Sequence, residues 1–178
     1  MKAILVDLDN TLVYTRKANA LAYLQALREF KIKINKKKFL EISKDRHYLD
    51  FLPRITTKVD PKEIAKRKSE IYEDFFPYTQ LNKDLKNFLC LAHKDWATAL
   101  VTTASRSNSI RLLNFHKIEG LFDQCIFGDD VFKHKPHPEP YLFAARVLEV
   151  EPKNCIVFED SKIGEKSARD AGMTVIRI

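Results

Sequence analysis

The sequence predicts an α/β fold in which a doubly wound, Rossmann-like and mainly parallel sheet is interrupted by a helical insertion. Three observations support this fold class. Short apolar runs recur without polar alternation, which is typical of parallel strands buried on both faces. Segments of helical periodicity separate these runs, as in folds where each strand leads into a helix. One internal segment, residues 14–80, breaks the rhythm and contains only helical patterns.

The predicted strands are short and lie at the start of the chain and in its second half. The first is the apolar run at residues 3–7, which ends in an acid. Four further runs of the same kind follow the insertion, so five strands are expected to form the sheet. These four runs span residues 97–102, 125–127, 155–159 and 174–178.

Helical segments fill the gaps between the later strands. One helix is predicted to start at Ser107 or Asn108. Residues 141–148 and 162–171 also have helical periodicity, and the second segment stops at Gly172, where a glycine can end a helix. This alternation of strands and helices predicts the doubly wound sheet.

Residues 14–80 form a predicted helical insertion of 67 residues. Asn35 can cap one helix, and Asp60-Pro61 followed by Glu63 is a favourable start for another. Apolar residues at helical spacing supply the buried faces of these helices. They are Leu21, Leu24, Leu27, Phe30, Ile64, Ile71 and Phe75.

The predicted domain organisation is a core of residues 1–13 and 81–178 with the insertion as a second unit. A hydrophobic fraction of 45% is typical of a globular protein. No apolar run reaches the roughly 20 residues needed to cross a bilayer, and the first residues lack the apolar core of a signal peptide. Three scattered cysteines without a CxxC pair are expected to stay reduced, which favours a cytoplasmic location.

The net charge of +7 is unevenly distributed along the chain. Residues 14–80 contain 16 Lys and Arg against nine Asp and Glu, whereas the remainder contains 15 of each sign. A solvated basic surface is one interpretation of this excess. The other is an electrostatic field that gathers an anionic substrate, such as a phosphate ester or a nucleic acid.

Two acids, Asp7 and Asp9, lie at the carboxyl end of the first predicted strand. In open α/β sheets this is the end where ligands bind. The Asp7 carboxylate could attack a phosphorus atom and form an aspartyl-phosphate. Asp9 is then placed to protonate the leaving oxygen and later to activate water. Considered alone, such a pair is more often a set of loop acids or a helix cap.

Thr102 and Lys135 add groups that can bind a phosphate. Thr102 ends the second predicted strand and is followed by Thr103, a further candidate contact, before a helix starts. Lys135 lies in a loop stiffened by two prolines, so its ammonium could neutralise both a carboxylate and a phosphoryl group. Alone, a helix cap and an exposed lysine are the commoner interpretations.

A second acid pair, Glu159 and Asp160, lies at the end of the fourth predicted strand. Two acid pairs supply the hard oxygen ligands that Mg²⁺ prefers, so Mg²⁺ is the predicted cofactor. His134 and His137 flank Lys135, but the spacing of histidines and cysteines does not match a zinc site. Alone, the second pair could equally be acids at a helix N-terminus.

Taken together, the order acid pair, hydroxyl, lysine and acid pair closely resembles the haloacid dehalogenase superfamily. The resemblance covers residues 1–13 and about 81–178 and includes all four family motifs. The insertion resembles the small helical cap of the phosphoglycolate-phosphatase and β-phosphoglucomutase-like branch. The matching motifs are Asp7-Leu8-Asp9-Asn10-Thr11-Leu12, Leu100-Val101-Thr102, Lys135-Pro136-His137-Pro138, and Glu159-Asp160-Ser161 with Gly164 and Ala171-Gly172-Met173.

The resemblance implies a role for each of these residues. Asp7 would be the nucleophile, Asp9 the general acid/base and Thr102 a phosphoryl ligand, while Lys135 would steady the phosphoryl group with Asp7. An acid at the position of Asp9 is the phosphatase and phosphomutase form, because dehalogenases lack it. The implied Mg²⁺ ligands are Asp7, the backbone carbonyl of Asp9, Asp160 and, in an assisting role, Glu159.

The predicted function is a Mg²⁺-dependent phosphatase that hydrolyses a small phosphate monoester. The alternatives are a phosphomutase of the β-phosphoglucomutase type and a phosphatase of nucleotides or nucleic-acid ends. A small anionic phosphate ester is the expected partner, with no nucleic-acid or membrane partner, for a monomer or dimer. The candidates for substrate contacts in the insertion are Arg16, Arg46, His47 and Arg54.

Two other classes fit the sequence less well. A phospho-aspartate signalling receiver also combines acids, a hydroxyl and a lysine on a parallel sheet, but a helical insertion of 67 residues does not belong in that fold. A nucleic-acid-binding module would account for the basic segment. The chain has no recognisable nucleic-acid motif and no aromatic residues interleaved with the basic ones on a sheet.

Overall fold

The computed structural model describes residues 1–44, 46 and 48–178. The chain divides into two compact units, which we call the core unit (Met1–Tyr14 with Gln80–Ile178) and the helical unit (Thr15–Thr79). The helical unit is one residue shorter at each end than the predicted insertion. Among the described residues, no helix is both long enough and apolar enough to span a membrane.

Strands and helices alternate through most of the core unit, whereas the helical unit consists of helices. The strands are β1 (Ala3–Val6), β2 (Val13–Tyr14), β3 (Gln80–Leu81), β4 (Ala97–Val101), β5 (Gln124–Ile126), β6 (Cys155–Glu159) and β7 (Thr174–Arg177). The α-helices are α1 (Arg16–Glu29), α2 (Lys36–Ser43), α3 (Tyr48–Phe51), α4 (Pro61–Ile71), α5 (Lys83–Ala92), α6 (Arg106–His116), α7 (Glu139–Val147) and α8 (Lys162–Asp170).

The core unit is built on a parallel sheet of five strands in the order β5-β4-β1-β6-β7. β1 lies at its centre, where Leu5 pairs with Ala99 of β4 on one side and with Val157 of β6 on the other. All four residues of β1 are buried, as expected for a parallel strand covered on both faces. The predicted α/β fold class, with a mainly parallel sheet and an inserted helical unit, is confirmed.

The strand order creates a switch point at β1. The chain first extends the sheet from β1 to β4 and β5 on one side, and then crosses over to add β6 and β7 on the other. Ligands in open α/β sheets bind beyond the carboxyl ends of the strands at such a point. The residues that follow β1, β4 and β6 therefore converge there, and they are Asp7, Thr102 and Asp160.

The helical unit has its own apolar core, in which Phe39 and Phe51 pack edge to face with ring centroids 5.7 Å apart. Asn35 and Asp60 cap α2 and α4 as predicted. Each side chain accepts a hydrogen bond of 2.8 Å from a backbone N–H in the first turn of its helix. These caps satisfy backbone donors that would otherwise lack a partner inside the helix.

The core unit also contains a short antiparallel ribbon, formed by the two chain segments that flank the helical unit in the sequence. β2 pairs with β3, with Val13 opposite Leu81 and Tyr14 opposite Gln80. The prediction that residues 14–80 contain no strand is therefore wrong at both ends. Two-residue strands are too short for an alternating pattern to reveal, and the pairing joins segments that are far apart in the sequence.

Candidate active site

A buried ion cluster lies at the carboxyl edge of the sheet. The ammonium of Lys135 donates hydrogen bonds to Asp7 Oδ1 and to Glu159 Oε1, each at 2.7 Å, and to the backbone carbonyl of Val101 at 3.0 Å. The three charged side chains are at least 90% buried. An ammonium has three donors, so these acceptors satisfy all of them. The structure thus brings together acids from both ends of the chain.

Asp7 is held at the sheet edge by its backbone. Its N–H donates to the carbonyl of Phe158 at 3.0 Å, so the residue continues the ladder between β1 and β6. Burial raises the pKa of the Asp7 carboxyl to about 8, and the negative charge of Glu159 adds to the effect, whereas the Lys135 ammonium opposes it. Further positive charge at this site would favour the ionised form.

Asp9 lies in a tight turn between β1 and β2. Asn10 adopts a left-handed backbone with φ of 66°, and the N–H groups of Leu12 and Val13 both donate to the carbonyl of Leu8. Asn is one of the few residues that tolerate this conformation at low cost. The turn keeps Asp9 half-buried, two residues beyond Asp7. Its roles as general acid/base and as a carbonyl ligand stay predictions.

Glu159 is the most heavily bonded acid of the site. Its Oε1 accepts from Lys135 and from the Tyr141 hydroxyl at 3.2 Å, and its Oε2 accepts from the backbone N–H and the hydroxyl of Ser161 at 2.9 and 3.0 Å. Burial alone would raise the pKa of Glu159, but Lys135 and Ser161 outweigh burial and lower it. Glu159 therefore stays ionised beside the ammonium.

Lys135 itself remains charged despite its burial. Burial disfavours an ammonium and lowers its pKa, but the charges of Asp7 and Glu159 and the hydrogen bond to Asp7 outweigh this effect and raise the pKa of Lys135 well above its usual range. The loop that carries Lys135 is tied to α8, because the Ser167 hydroxyl donates to the carbonyl of His137 at 2.6 Å. The lysine is thus a permanent positive charge in a fixed position.

Thr102 and Thr103 follow β4 in a loop that packs against the turn after β5. Thr102 is buried, and its hydroxyl accepts from the N–H of Ala104 at 3.1 Å, whereas Thr103 is exposed. A Cβ on Gly128 would lie 2.5 Å from the carbonyl oxygen of Thr103, so only glycine allows this approach. The phosphate contacts of both threonines stay predictions.

Three carboxylates of the site could hold a metal ion. Asp7, Glu159 and Asp160 each offer an oxygen, and these atoms lie within 4.8 Å of one another. An all-oxygen donor set fits Mg²⁺. The four donors around Glu159 fill the roughly four lone-pair sites of a carboxylate, which favours Asp7 and Asp160 as direct ligands. The metal-binding role of Glu159 stays a prediction.

The predicted substrate-contacting residues of the insertion lie on separate elements of the helical unit. Arg16 begins α1, Arg46 donates to the carbonyl of Ile42 at 2.6 Å, and Arg54 lies in a short 3₁₀ helix beside a cavity of about 280 Å³. All three are exposed, and their contact with a substrate stays a prediction. The fourth candidate, His47, lies outside the described residues.

Two positions of the candidate site carry no signal in the sequence. The sequence predicts Tyr141 only as part of a helix and gives no indication of a role for Gly128, because their contacts with Glu159 and Thr103 are tertiary. Gly164 was noted as part of a motif. In the structure, the Glu159 carboxylate occupies the space that a side chain at position 164 would need, so only glycine fits there.

The chain matches known proteins over nearly its whole length. A family model described as haloacid dehalogenase-like hydrolase matches residues 4–178. The phosphorylated carbohydrates phosphatase of Thermotoga maritima is 30% identical over 112 residues, which are 63% of this chain and 51% of that protein. The fructose-1-phosphate phosphatase YqaB of Escherichia coli K12 is 23% identical over an alignment of 178 positions that covers 98% of this chain and 95% of that protein.

A solved structure agrees with these matches. A HAD hydrolase of family IA, variant 3, from Entamoeba histolytica has a TM-score of 0.89 at 26% identity, covering 100% of this chain and 84% of that chain. Among the curated relatives, two matches span 43% and 51% of the relative, about half its length. Since the family model matches residues 4–178, which are nearly the whole chain, this protein belongs to the haloacid dehalogenase-like hydrolases.

Proposed function

We propose that this protein is a Mg²⁺-dependent phosphatase that hydrolyses a small phosphorylated carbohydrate through an aspartyl-phosphate on Asp7. The observation that carries the proposal is the buried cluster in which Lys135 holds Asp7 and Glu159 at 2.7 Å. Family membership supports the reaction class. The names of two relatives, which act on phosphorylated carbohydrates and fructose 1-phosphate, support the substrate class.

In the first step, a carboxylate oxygen of Asp7 attacks the phosphorus atom. We assign the attack to Oδ2, because Oδ1 is the oxygen that Lys135 binds. The bond between phosphorus and the substrate oxygen breaks, and Asp9 gives its proton to that leaving oxygen. The products are a free alcohol and the phosphorylated Asp7.

In the second step, water attacks the phosphorus atom of the phosphorylated Asp7. Asp9, now a carboxylate, takes a proton from the water, and the bond between phosphorus and Asp7 breaks. Inorganic phosphate leaves, and Asp7 is again a carboxylate. The Lys135 ammonium offsets negative charge in both steps, while the Thr102 loop binds phosphoryl oxygens.

Asp7 and Asp160, with the backbone carbonyl of Asp9, would hold the Mg²⁺. When bound, Mg²⁺ supplies positive charge against the phosphoryl oxygens and favours the ionised Asp7. Residues 14–80 are proposed to act as a cap that sets substrate specificity. The cytoplasmic location and a monomeric or dimeric state stay predictions.

The proposal is tested with a panel of sugar phosphates in the presence of Mg²⁺, scored for release of inorganic phosphate. Asp7→Asn should reduce kcat by about 10⁴-fold without loss of folding, because the amide is a poor nucleophile. Asp170→Asn, an exposed acid of α8, is the matched control and should keep full activity. Removal of divalent cations with EDTA should abolish turnover.

Two outcomes would count against the proposal. Full activity in Asp7→Asn would remove the nucleophile assignment. Interconversion of phosphate isomers without net release of phosphate would identify a phosphomutase instead, since a mutase retains the phosphoryl group during the cycle.

A further inference from the structure

Tyr141 packs against the buried ion cluster and contacts two of its members, Lys135 and Glu159. Its side chain is fully buried, its ring centroid is 4.8 Å from the Lys135 ammonium, and its hydroxyl is 3.2 Å from Glu159 Oε1. The ring therefore faces the cation while the hydroxyl binds the anion. We propose that Tyr141 and Gly164 are positioning residues that fix the Glu159 carboxylate and, through it, the Lys135 ammonium beside Asp7.

The hydroxyl of Tyr141 acts as a donor in this arrangement. Burial raises the pKa of the phenol, so the group remains protonated at physiological pH. Glu159 Oε1 thus receives one hydrogen bond from Tyr141 and one from Lys135. A carboxylate oxygen with two donors in fixed directions cannot rotate away without losing one of them.

Gly164 leaves the space in which this carboxylate lies. A Cβ at position 164 would be 1.7 Å from Glu159 Oε1 and 2.0 Å from its Cδ, far inside van der Waals contact. Gly164 belongs to α8, where alanine is intrinsically favoured over glycine. The glycine is therefore required by the Glu159 carboxylate rather than by the local backbone.

The two residues act on one group from different sides. The Tyr141 hydroxyl holds the carboxylate by a hydrogen bond, and the missing side chain of Gly164 leaves the space in which the carboxylate lies. If the carboxylate moves, Lys135 loses one of three acceptors, and its position relative to Asp7 Oδ1 is less well defined. Neither residue needs to contact the substrate for this effect.

Two variants and two matched controls separate this role from general packing. Tyr141→Phe keeps the ring against the ammonium and removes only the hydroxyl. Gly164→Ala adds the single methyl group that meets the carboxylate. Tyr78→Phe, in an exposed tyrosine, and Gly120→Ala, where no described atom lies within 4 Å of the added Cβ, are the controls.

The first readout does not depend on the proposed function. The ¹⁵N-detected signal of the Lys135 ammonium, identified by its loss in Lys135→Met, reports protection from exchange with water. We expect a protected signal in the wild type and in both controls. Tyr141→Phe should shift it and speed its exchange, and Gly164→Ala should do so more strongly.

The second readout is kinetic and rests on the proposed function. Tyr141→Phe should lower kcat roughly tenfold with KM little changed, which corresponds to one lost hydrogen bond to a charged group. Gly164→Ala should have a larger effect. Because both changes act through Glu159, Tyr141→Phe should add little in the Gly164→Ala background.

Three results would overturn the proposal. The first is an unchanged Lys135 signal in both variants, and the second is a wild-type ammonium that exchanges with water as fast as those of surface lysines. The third is a double variant in which the effects of Tyr141→Phe and Gly164→Ala on kcat multiply fully. Absence of any phosphatase activity would reject the proposed function alone, since the spectroscopic result would still decide whether Tyr141 and Gly164 position Lys135.

Discussion

Among the residues that the structure describes, each unit contains one well-buried lysine, and the two lysines have different surroundings. Lys135 of the core unit lies between the carboxylates of Asp7 and Glu159. Lys68 of the helical unit lies over the ring of Tyr72, 3.5 Å from its centroid, with the Tyr23 ring at 5.4 Å. One cation is matched to anions, and the other is matched to aromatic faces.

The two environments have different chemical consequences. A lysine between two buried carboxyl groups belongs to a cluster with strongly shifted pKa values, which is typical of functional sites. A lysine against tyrosine rings gains cation–π attraction from the ring faces. The net charge of the two units differs as well. The core unit has equal numbers of acidic and basic residues, whereas the whole excess of +7 lies in the helical unit.

The largest effect that tests this comparison is expected from removing each lysine in turn. Lys135→Met leaves the ionised Glu159 and the buried carboxyl group of Asp7 without their cation, so the free energy of unfolding should fall by about 3–5 kcal/mol. Phosphate release should fall by at least about 10²–10³-fold. Lys68→Met should cost less than about 2 kcal/mol and leave kcat unchanged. Urea unfolding and phosphate release measure both quantities, and equal losses of kcat would refute the contrast.

The next effect concerns pH and the metal-free protein. The pKa of Asp7 is about 8 in the folded state and near 3.8 ordinarily, so between these values the folded protein keeps a proton that the unfolded chain has lost. The free energy of unfolding should therefore fall as pH rises from about 4 to about 8, by at most about 1.4 kcal/mol per pH unit, and level off above.

Urea unfolding between pH 5 and pH 9 measures this slope. Asp7→Asn removes the titrating group, so its curve should be flatter over the same interval. Mg²⁺ binds the ionised carboxylate and should flatten the wild-type curve as well. Parallel curves for wild type and Asp7→Asn would show that Asp7 titrates normally.

A smaller effect is expected from equivalent helix caps in the two units. Asn35→Ala and Asp60→Ala remove caps in the helical unit, and Ser161→Ala removes the cap of α8 in the core unit. Each should lower the free energy of unfolding by about 1 kcal/mol. Only Ser161→Ala should also lower kcat, because Ser161 is bonded to Glu159. A similar kcat loss in all three would argue against this distinction.

The smallest effect on stability should come from the basic surface of the helical unit. Lys36→Glu with Lys37→Glu places acids in the first turn of α2, which favours the helix dipole, so stability should change by less than about 1 kcal/mol. If the positive field gathers anionic substrate, KM should rise several-fold at low salt. The difference should vanish at high salt, because ions screen exposed charges.

Lys153→Glu, an exposed position of the core unit, is the matched control for this charge reversal. It should leave KM and its salt dependence as in the wild type. A salt-independent rise of KM in the helical-unit variant would point to a lost direct contact instead of a lost field.

Local sequence patterns were sufficient for most of the fold. The five sheet strands and the helices α7 and α8 lie within two residues of their predicted bounds, and α6 begins within two residues of its predicted start, because apolar runs and helix caps are local signals. Asn35 and Asp60 were identified as caps for the same reason. The two-residue ribbon of β2 and β3 was not, since its pairing depends on residues 66 or more positions apart.

The sequence by itself determined which residues are candidates for the chemistry. The candidates at or just beyond strand ends, where a parallel sheet gathers side chains, are Asp7, Asp9, Thr102, Glu159 and Asp160, and Lys135 lies in the loop between β5 and α7. Only the tertiary structure decided how these groups divide their roles. In the folded protein, four hydrogen-bond donors surround Glu159, and the Tyr141 ring lies against the Lys135 ammonium. The Glu159 carboxylate occupies the space that a side chain at position 164 would fill. Hydrogen-bond saturation and close approach depend on atoms brought together by folding, and no spacing along the chain encodes them.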